Sequence, residues 1–286
     1  MNFDKLLAPP GKSIKLKDYP TANGTDLTKV EAAEKLESDV KSLADLQTRL
    51  AAQNTYALLV ILQGIDAAGK DGTIKHVMSG LNPAGCQVTS FKVPSEEELD
   101  HDYLWRYAKA IPPRGNIGIF NRSYYEEVLV VRVHPALLER QRIPGKKSDK
   151  FWASRYEEIN EFERYLVRNG IEVMKFFLHL SKEEQKKRFL DRLDSPEKHW
   201  KFSAADVKER AYWDDYAVAF EDMLSHTSTE VAPWHVIPAD QKWFARLAVA
   251  NFIARKLESL KLKFPTLDAA GKQALAESRK SLEAEK

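Results

Sequence analysis

Cysteine is nearly missing from this chain: Cys86 stands alone among 286 residues, which rules out an internal disulfide and any multi-cysteine metal site. The seven histidines are scattered, with no spacing of the His-x-x-x-His kind, so zinc chemistry is not expected. No run of about 18 apolar residues occurs, and the opening Met1-Asn2-Phe3-Asp4-Lys5-Leu6-Leu7 lacks the cationic and apolar segments of a secretion signal. A cytoplasmic protein without a membrane partner is expected. Charge of one sign is also lacking. At a net +2 no global basic field marks a nucleic-acid binder, and any polyanion must be held by local clusters. What remains, 43% hydrophobic and 30% charged residues, is enough for one large core and one catalytic domain.

The most informative stretch runs from Tyr56 to Thr73, where the apolar Ala57-Leu-Leu-Val-Ile-Leu62 leads into Gly64-Ile-Asp-Ala-Ala-Gly-Lys-Asp-Gly-Thr73. This reads as a buried strand, a glycine-rich turn and the start of a helix. Gly64, Gly69 and Gly72 let bare backbone amides approach an anion, the helix N-terminus points its positive end at it, and Lys70 adds a mobile charge. The spacing matches the P-loop, except that Asp71 stands where that motif expects Ser or Thr. The usual hydroxyl binds Mg²⁺, so its replacement shifts metal binding to carboxylates, with Asp66 and Asp71 at hand.

Along the chain, residues 1–25 lack apolar periodicity and are expected as an extended arm with a turn at Asn23-Gly24. An amphipathic helix is expected from Asp26 to about Leu50, on the stripe Leu36, Val40, Leu43, Leu46 and Leu50. After the glycine-rich turn come a helix at about 72–80, a strand at 87–93, a helix at 96–110 opened by Ser95 and Glu98, and a strand at 117–120. A strand at 173–180, a helix at 182–193 opened by Ser181 and Glu184, and a long helix from Ser203 with Asp206 to about Leu224 follow. A last strand at 234–237 and a helix at 241–260 close the domain, and 263–286 reads as a tail or peripheral helix. Strands alternating with helices predict a three-layer α/β/α fold around a parallel sheet.

In such sheets ligands sit beyond the carboxyl ends of the strands, so the polar residues there are the candidates. They are Asp66 and Lys70 after the first strand, and Asn121, Arg122 and Glu126 after the strand ending at Phe120. Arg122 can hold two phosphate oxygens with its planar fork or make a surface ion pair. Asn121 can accept a bond from metal-bound water, or it and Ser123 can cap a helix. The helix 182–193 and its loop carry seven basic and five acidic residues, which suits either a solvated face or a mobile lid that excludes water. Arg140, Arg142, Lys146, Lys147 and Lys150 form a second basic cluster that can guide a polyanion or remain solvated. Of the aromatic residues Tyr103, Trp105, Tyr107, Trp200, Trp213 and Trp234, only Trp200 lies in a loop suited to touching a ligand.

Gly64–Thr73, Phe120-Asn-Arg-Ser-Tyr-Tyr-Glu126 and Arg192-Leu-Asp-Ser-Pro-Glu-Lys-His-Trp-Lys-Phe-Ser203 together resemble the family-2 polyphosphate kinases. Leu81–Gly85, Asp102–Arg106 and Ala232–Ala239 add to the match, which covers about residues 30–262. The resemblance implies a P-loop kinase domain over 26–262 with a helical lid at about 182–203. It also implies Mg²⁺, with Mn²⁺ as substitute, and reversible phosphoryl transfer from inorganic polyphosphate to AMP or ADP. By the same resemblance Asp66 is the metal-binding acid, Lys70 the phosphate lysine, Arg122 the arginine of the second motif, and Arg188 and Arg192 the lid arginines. Gly64, Ala67, Ala68, Gly69, Asp71, Gly72, Thr73, Asn121, Glu126, Lys198, Trp200 and Lys201 complete the expected binding set. Many relatives carry Asp where Asn121 stands; Asn-Arg-Ser goes with the class acting on both nucleoside mono- and diphosphates. A homo-oligomer, dimer or tetramer, is expected. Two other readings stay open: an ATP-dependent nucleotide kinase of the thymidylate kinase type, and a nucleotide-responsive switch protein.

Overall fold

The computed structural model describes residues 3–22, 25, 27–145 and 148–285. The turn at Asn23-Gly24, the expected helix start at Asp26, and Lys146 and Lys147 lie outside the described residues. Five strands, β1 (Ala57–Gln63), β2 (Cys86–Ser90), β3 (Ile117–Asn121), β4 (Ile171–His179) and β5 (Trp234–Pro238), form one sheet in the order β2-β3-β1-β4-β5. Every pairing is parallel, as crossover helices between successive strands require.

The helices in chain order are α1 (Lys29–Gln53), α2 (Lys70–Val77), α3 (Glu96–Asp100), α4 (Trp105–Ala108), α5 (Val130–Val133) and α6 (Pro135–Arg140). They continue with α7 (Asp149–Arg168), α8 (Lys182–Asp194), α9 (Ala204–Glu209), α10 (Trp213–Thr227), α11 (Lys242–Ser259) and α12 (Ala269–Ala284). All seven residues of β1 are buried, and they alternate between two cores as the period of two dictates. Leu58, Val60 and Leu62 face a core shared with α1, α2 and α11, whereas Leu59 and Ile61 face one shared with α7 and α10. The outcome is the expected three-layer arrangement.

Several boundaries differ from the sequence expectation, each for a local reason. α1 starts at Lys29 because Thr28 and Glu31 form a complete capping box, and it ends where Asn54 turns left-handed at φ 50°. The helix expected at 96–110 is two short pieces, since Asp102 Oδ1 accepts from the Leu104 amide at 2.9 Å and offers the backbone a turn instead. The helix expected from Ser203 to Leu224 is also broken, by a 3₁₀ turn at Arg210–Tyr212. Ser203 Oγ caps the Ala205 amide at 3.2 Å, Asp206 also faces Arg192 at 3.5 Å, and Arg210 ties the turn to the Gln185 side chain at 2.5 Å. α7 was not foreseen. Its buried stripe of Tyr156, Ile159, Glu163 and Leu166 contains a glutamate, which disguises the periodicity.

The N-terminal residues, expected as an extended arm, are fastened along the sheet edge. Ala8 donates its amide to the Trp234 carbonyl at 2.8 Å, Leu7 bridges His235, and Phe3 packs edge-on against Phe244 with centroids 5.7 Å apart. This covers β5, whose outer side would otherwise be open to pairing. α12 lies at the end as a solvated peripheral helix with no buried residue.

Candidate active site

Because β1 has β3 on one side and β4 on the other, the chain reverses direction of winding beside β1, and the loop Gly64–Gly69 opens at that crevice. Gly64 has φ 153°, and a Cβ there would meet the Leu178 carbonyl oxygen at 3.0 Å, so this glycine serves the close approach of the loop to β4. Gly69, at φ 106°, is the left-handed N-cap of α2, and Ala67 takes a positive φ of 63° at a cost a glycine would not incur.

α8 holds this loop from behind. The buried Arg188 donates Nη1 to the carbonyls of Ala67 and Ala68 at 2.9 and 3.0 Å, and Nη2 to those of Ala239 and Asp240 at 2.6 and 3.0 Å. Its Nε bonds Glu184 at 2.9 Å, and Gln185 Nε2 adds a bond to the Asp66 carbonyl at 2.9 Å. The first half of the segment 182–203 is therefore fastened to the body, while Leu190, Leu193 and Phe202 are exposed.

Lys70 is 8% exposed, and its Nζ folds back to the carbonyls of Gly64 at 2.7 Å and Ile65 at 3.3 Å. Burial, with the positive charge of Arg122 nearby, lowers its pKa to about 8, although Asp66, Glu126 and Asp71 pull the other way. Arg122 follows β3 directly in a left-handed conformation, φ 66°. Its guanidinium bonds Asp66 Oδ1 at 2.5 Å and Glu126 Oε2 at 3.0 Å, and the negative charge of Glu126 foremost holds it firmly protonated. Asn121 Nδ2 donates to Asp71 Oδ1 at 2.6 Å, which fixes the residue standing in the place of the usual hydroxyl. Ser123 Oγ caps Tyr125, so the capping alternative holds for Ser123 but not for Asn121.

These groups line a cleft of about 440 Å³ that contains Ala67–Thr73, Asp66, Asn121, Arg122, Arg188, Arg192, Lys198 and Lys201. Three expected residues stand outside its lining. Gly64 packs against Leu178, Glu126 is engaged by Arg122 and by Gln63 Nε2 at 3.1 Å, and Trp200 is 79% exposed with Lys201 Nζ 4.8 Å from its ring centre. Asp191, Asp206, Lys242, Ala245 and Arg246 line the cleft and were missed. The signal for Lys242 and Arg246 is their place in the first turns of the helix that follows β5, beyond the carboxyl end of that strand. In the cluster near 140–150, Arg140 pairs with Glu96 at 3.0 Å and Arg142 pairs with Asp100, so these two arginines are already engaged.

Eight lysines and arginines face four aspartates in the cleft, a surplus of positive charge suited to a polyanion. No group of three or more His, Cys, Asp or Glu residues able to hold a metal ion occurs among the described residues. The acids present suit a hard cation bound by one or two carboxylates and completed by phosphate oxygens. Burial and the neighbouring charge of Asp66 push the Asp206 carboxyl above its ordinary range, so two acids converge there. A second cavity, about 330 Å³, lies between residues 16–21, the end of β4 and α10, walled by Tyr19, Phe177, Trp213, Tyr216 and Phe220. Its lining carries one lysine, Lys17, against the eight lysines and arginines of the cleft, too little positive charge for a polyphosphate.

The family model for polyphosphate kinase 2 matches residues 26–265. The chain belongs to that family. It is 51% identical over 275 residues to an ADP-polyphosphate phosphotransferase of Rhodopseudomonas palustris, covering 95% of each chain. It is 45% identical over 237 residues to an AMP/ADP-polyphosphate phosphotransferase of Meiothermus ruber, covering 83% of this chain and 85% of the relative. Its fold superposes on the crystal structure of polyphosphate kinase 2 from Arthrobacter aurescens TC1 with a TM-score of 0.85 and 39% identity, covering 95% of this chain and 98% of the other. For a polyphosphate kinase 2 family member, the loop at Gly64–Gly69 and its surplus of cations are the expected equipment.

Proposed function

We propose that the protein transfers the terminal phosphoryl group of inorganic polyphosphate to AMP and ADP, reversibly. The observation that carries this reading is the phosphate loop flanked by Lys70, Arg122 and Arg192 in a cleft with twice as many cations as carboxylates. In the transfer, a terminal phosphate oxygen of the acceptor bonds to the end phosphorus of the chain. The bridging P–O bond behind that phosphorus breaks, and its electron pair leaves with the shortened polyphosphate. Acceptor oxygens are already ionised, so no general base is needed, and catalysis rests on alignment and charge neutralisation.

Lys70 exchanges its carbonyl partners for phosphate oxygens, and Arg122 exchanges Asp66 for the transferred group. Asp66, so released, is the first candidate to hold Mg²⁺, or Mn²⁺ in its place, with Asp206 across the cleft. The bound ion supplies charge neutralisation on phosphate oxygens. Arg192 and the loop with Lys198 and Lys201 close over the chain and exclude water, which would otherwise hydrolyse the activated group. A cytoplasmic location and a dimeric or tetrameric assembly accompany this reading.

The test is product analysis of purified protein given polyphosphate, Mg²⁺ and AMP or ADP, with no nucleoside triphosphate added. ADP and ATP are the expected products. Absence of both, together with phosphorylation of a nucleoside monophosphate by ATP, would replace this reading with the thymidylate kinase type.

A further inference from the structure

Lys242 and Arg246 stand one turn apart on the side of α11 that borders the cleft, and both line it. Arg246 reaches over the first turn of α2, with Nη2 3.6 Å from the position a Cβ would take on Gly72. Neither side chain makes a hydrogen bond or ion pair among the described residues. Burial and the charge of Arg188 depress the pKa of each, while on Lys242 the acids Asp191 and Glu184 act in the opposite direction. These are cations held near other cations and left without a partner. The other arginines of the cleft are engaged: Arg122 by Asp66 and Glu126, Arg188 by carbonyls, and Arg192 by Asp206.

Their place in the fold says which ligand they suit. Arg122 follows β3 and Lys242 follows β5, with β1 and β4 between them. Three strand spacings put the backbone ends of β3 and β5 about 14 Å apart along the top of the sheet, with Arg246 reaching back from the β5 side toward the loop. One transferred phosphoryl group does not bridge that span, but a chain of linked phosphates does. The wall here, made of Ala245, Gly72 and the two cations, offers no aromatic side chain for a nucleobase to stack on.

We propose that Lys242 and Arg246 form a subsite for the non-reacting part of the polyphosphate donor, holding the chain after it leaves the phosphate loop on the side away from Arg122. The inference rests on the polyphosphate reading above and adds to it the place where donor length is sensed. A long chain gains both contacts, whereas a short chain that ends at the loop gains neither.

The experiment compares wild type with Lys242→Gln, Arg246→Gln and the double variant, using polyphosphates of defined short and long length with ADP as acceptor. Each lost cation raises KM for the long chain by roughly tenfold, as loss of a charge-assisted contact does. KM for the short chain and for ADP moves far less, so the preference for long chains collapses. The log–log salt dependence of long-chain binding becomes shallower by roughly one to two in the double variant. Lys242→Arg and Arg246→Lys retain most of the long-chain preference, which a merely structural role would not predict. An unchanged long-chain KM, or a rise confined to KM for ADP, overturns the proposal. A wild type inactive with every polyphosphate would instead overturn the underlying function.

Discussion

Replacing Lys70 by Met removes a cation that the fold holds inside its own phosphate loop, 8% exposed and bonded to the carbonyls of Gly64 and Ile65. The folded-state pKa is about 8, against about 10.4 in an unfolded chain. Between these values the unfolded chain binds more protons at this site than the folded one, so the contribution of Lys70 to stability increases with pH. Each pKa unit corresponds to about 1.4 kcal/mol, and raising the pH from about 7 to 9.5 favours the folded wild type through this group by about 2 kcal/mol. The carbonyls that lose their donor in Lys70→Met shift its stability by an amount that does not depend on pH, and all other titrations are shared. Urea unfolding of both proteins at pH 7, 8, 9 and 9.5 therefore isolates the lysine. The difference in unfolding free energy is expected to move in favour of wild type, mostly above pH 8. Parallel curves, or movement the other way, would refute the assignment of a strained, partly deprotonated cation. A second readout follows for function: polyphosphate bound at pH 9 recharges Lys70 and takes up close to one proton, seen as a buffer-dependent heat that vanishes near pH 6.5.

Two more predictions follow from the same geometry. Asp66→Asn, at a side chain a quarter exposed, is expected to leave folding intact and lower polyphosphate-dependent ADP or ATP formation by about a hundredfold or more; near-normal turnover would remove Asp66 from the chemistry. Lys175→Met breaks a fully buried network in which Nζ meets Glu163 at 2.6 Å, Tyr125 Oη at 2.8 Å and the Thr227 carbonyl at 2.6 Å. The uncompensated carboxylate is expected to cost about 3–5 kcal/mol and to lower the thermal midpoint by about 10 °C, and Glu163→Gln in the same chain should recover part of the loss.

What the letters alone conveyed depended on how local the cause was. The strand-to-helix turn at Gly64–Lys70 was legible because its features lie within ten residues: apolar run, glycines, lysine. The sheet was legible because alternating strands and helices admit few topologies. α7 was not, since Glu163 sits in its buried stripe and has a partner, Lys175, that arrives from β4. The break at Arg210–Tyr212 depends on Arg210 reaching back to Gln185, a contact across 25 residues that no capping pattern encodes. Arg188 and Arg192 look alike as sequence, four apart on one helix. Only the fold separates them, turning the first toward loop carbonyls and leaving the second in the cleft with Asp206.

That separation bears on how the cleft binds anions at all. In the free protein Lys70 is held by carbonyls, Arg122 by two carboxylates and Arg192 by Asp206, so at these three cations a phosphate chain displaces internal partners, whereas at Lys242 and Arg246 it meets bare charge. Each exchange replaces one charge-assisted bond by another, and the net gain per contact is small relative to the gross attraction. The exchange has a directional consequence, however. Arg122 and Arg192 each free an acid when handed to phosphate, Asp66 first and Asp206 next, so the arrival of the donor itself creates the negative charge that a divalent ion requires. Polyphosphate and metal should therefore bind with mutual reinforcement, each raising the affinity for the other by the same factor. That coupling should weaken in Asp66→Asn, where only Asp206 remains to be released.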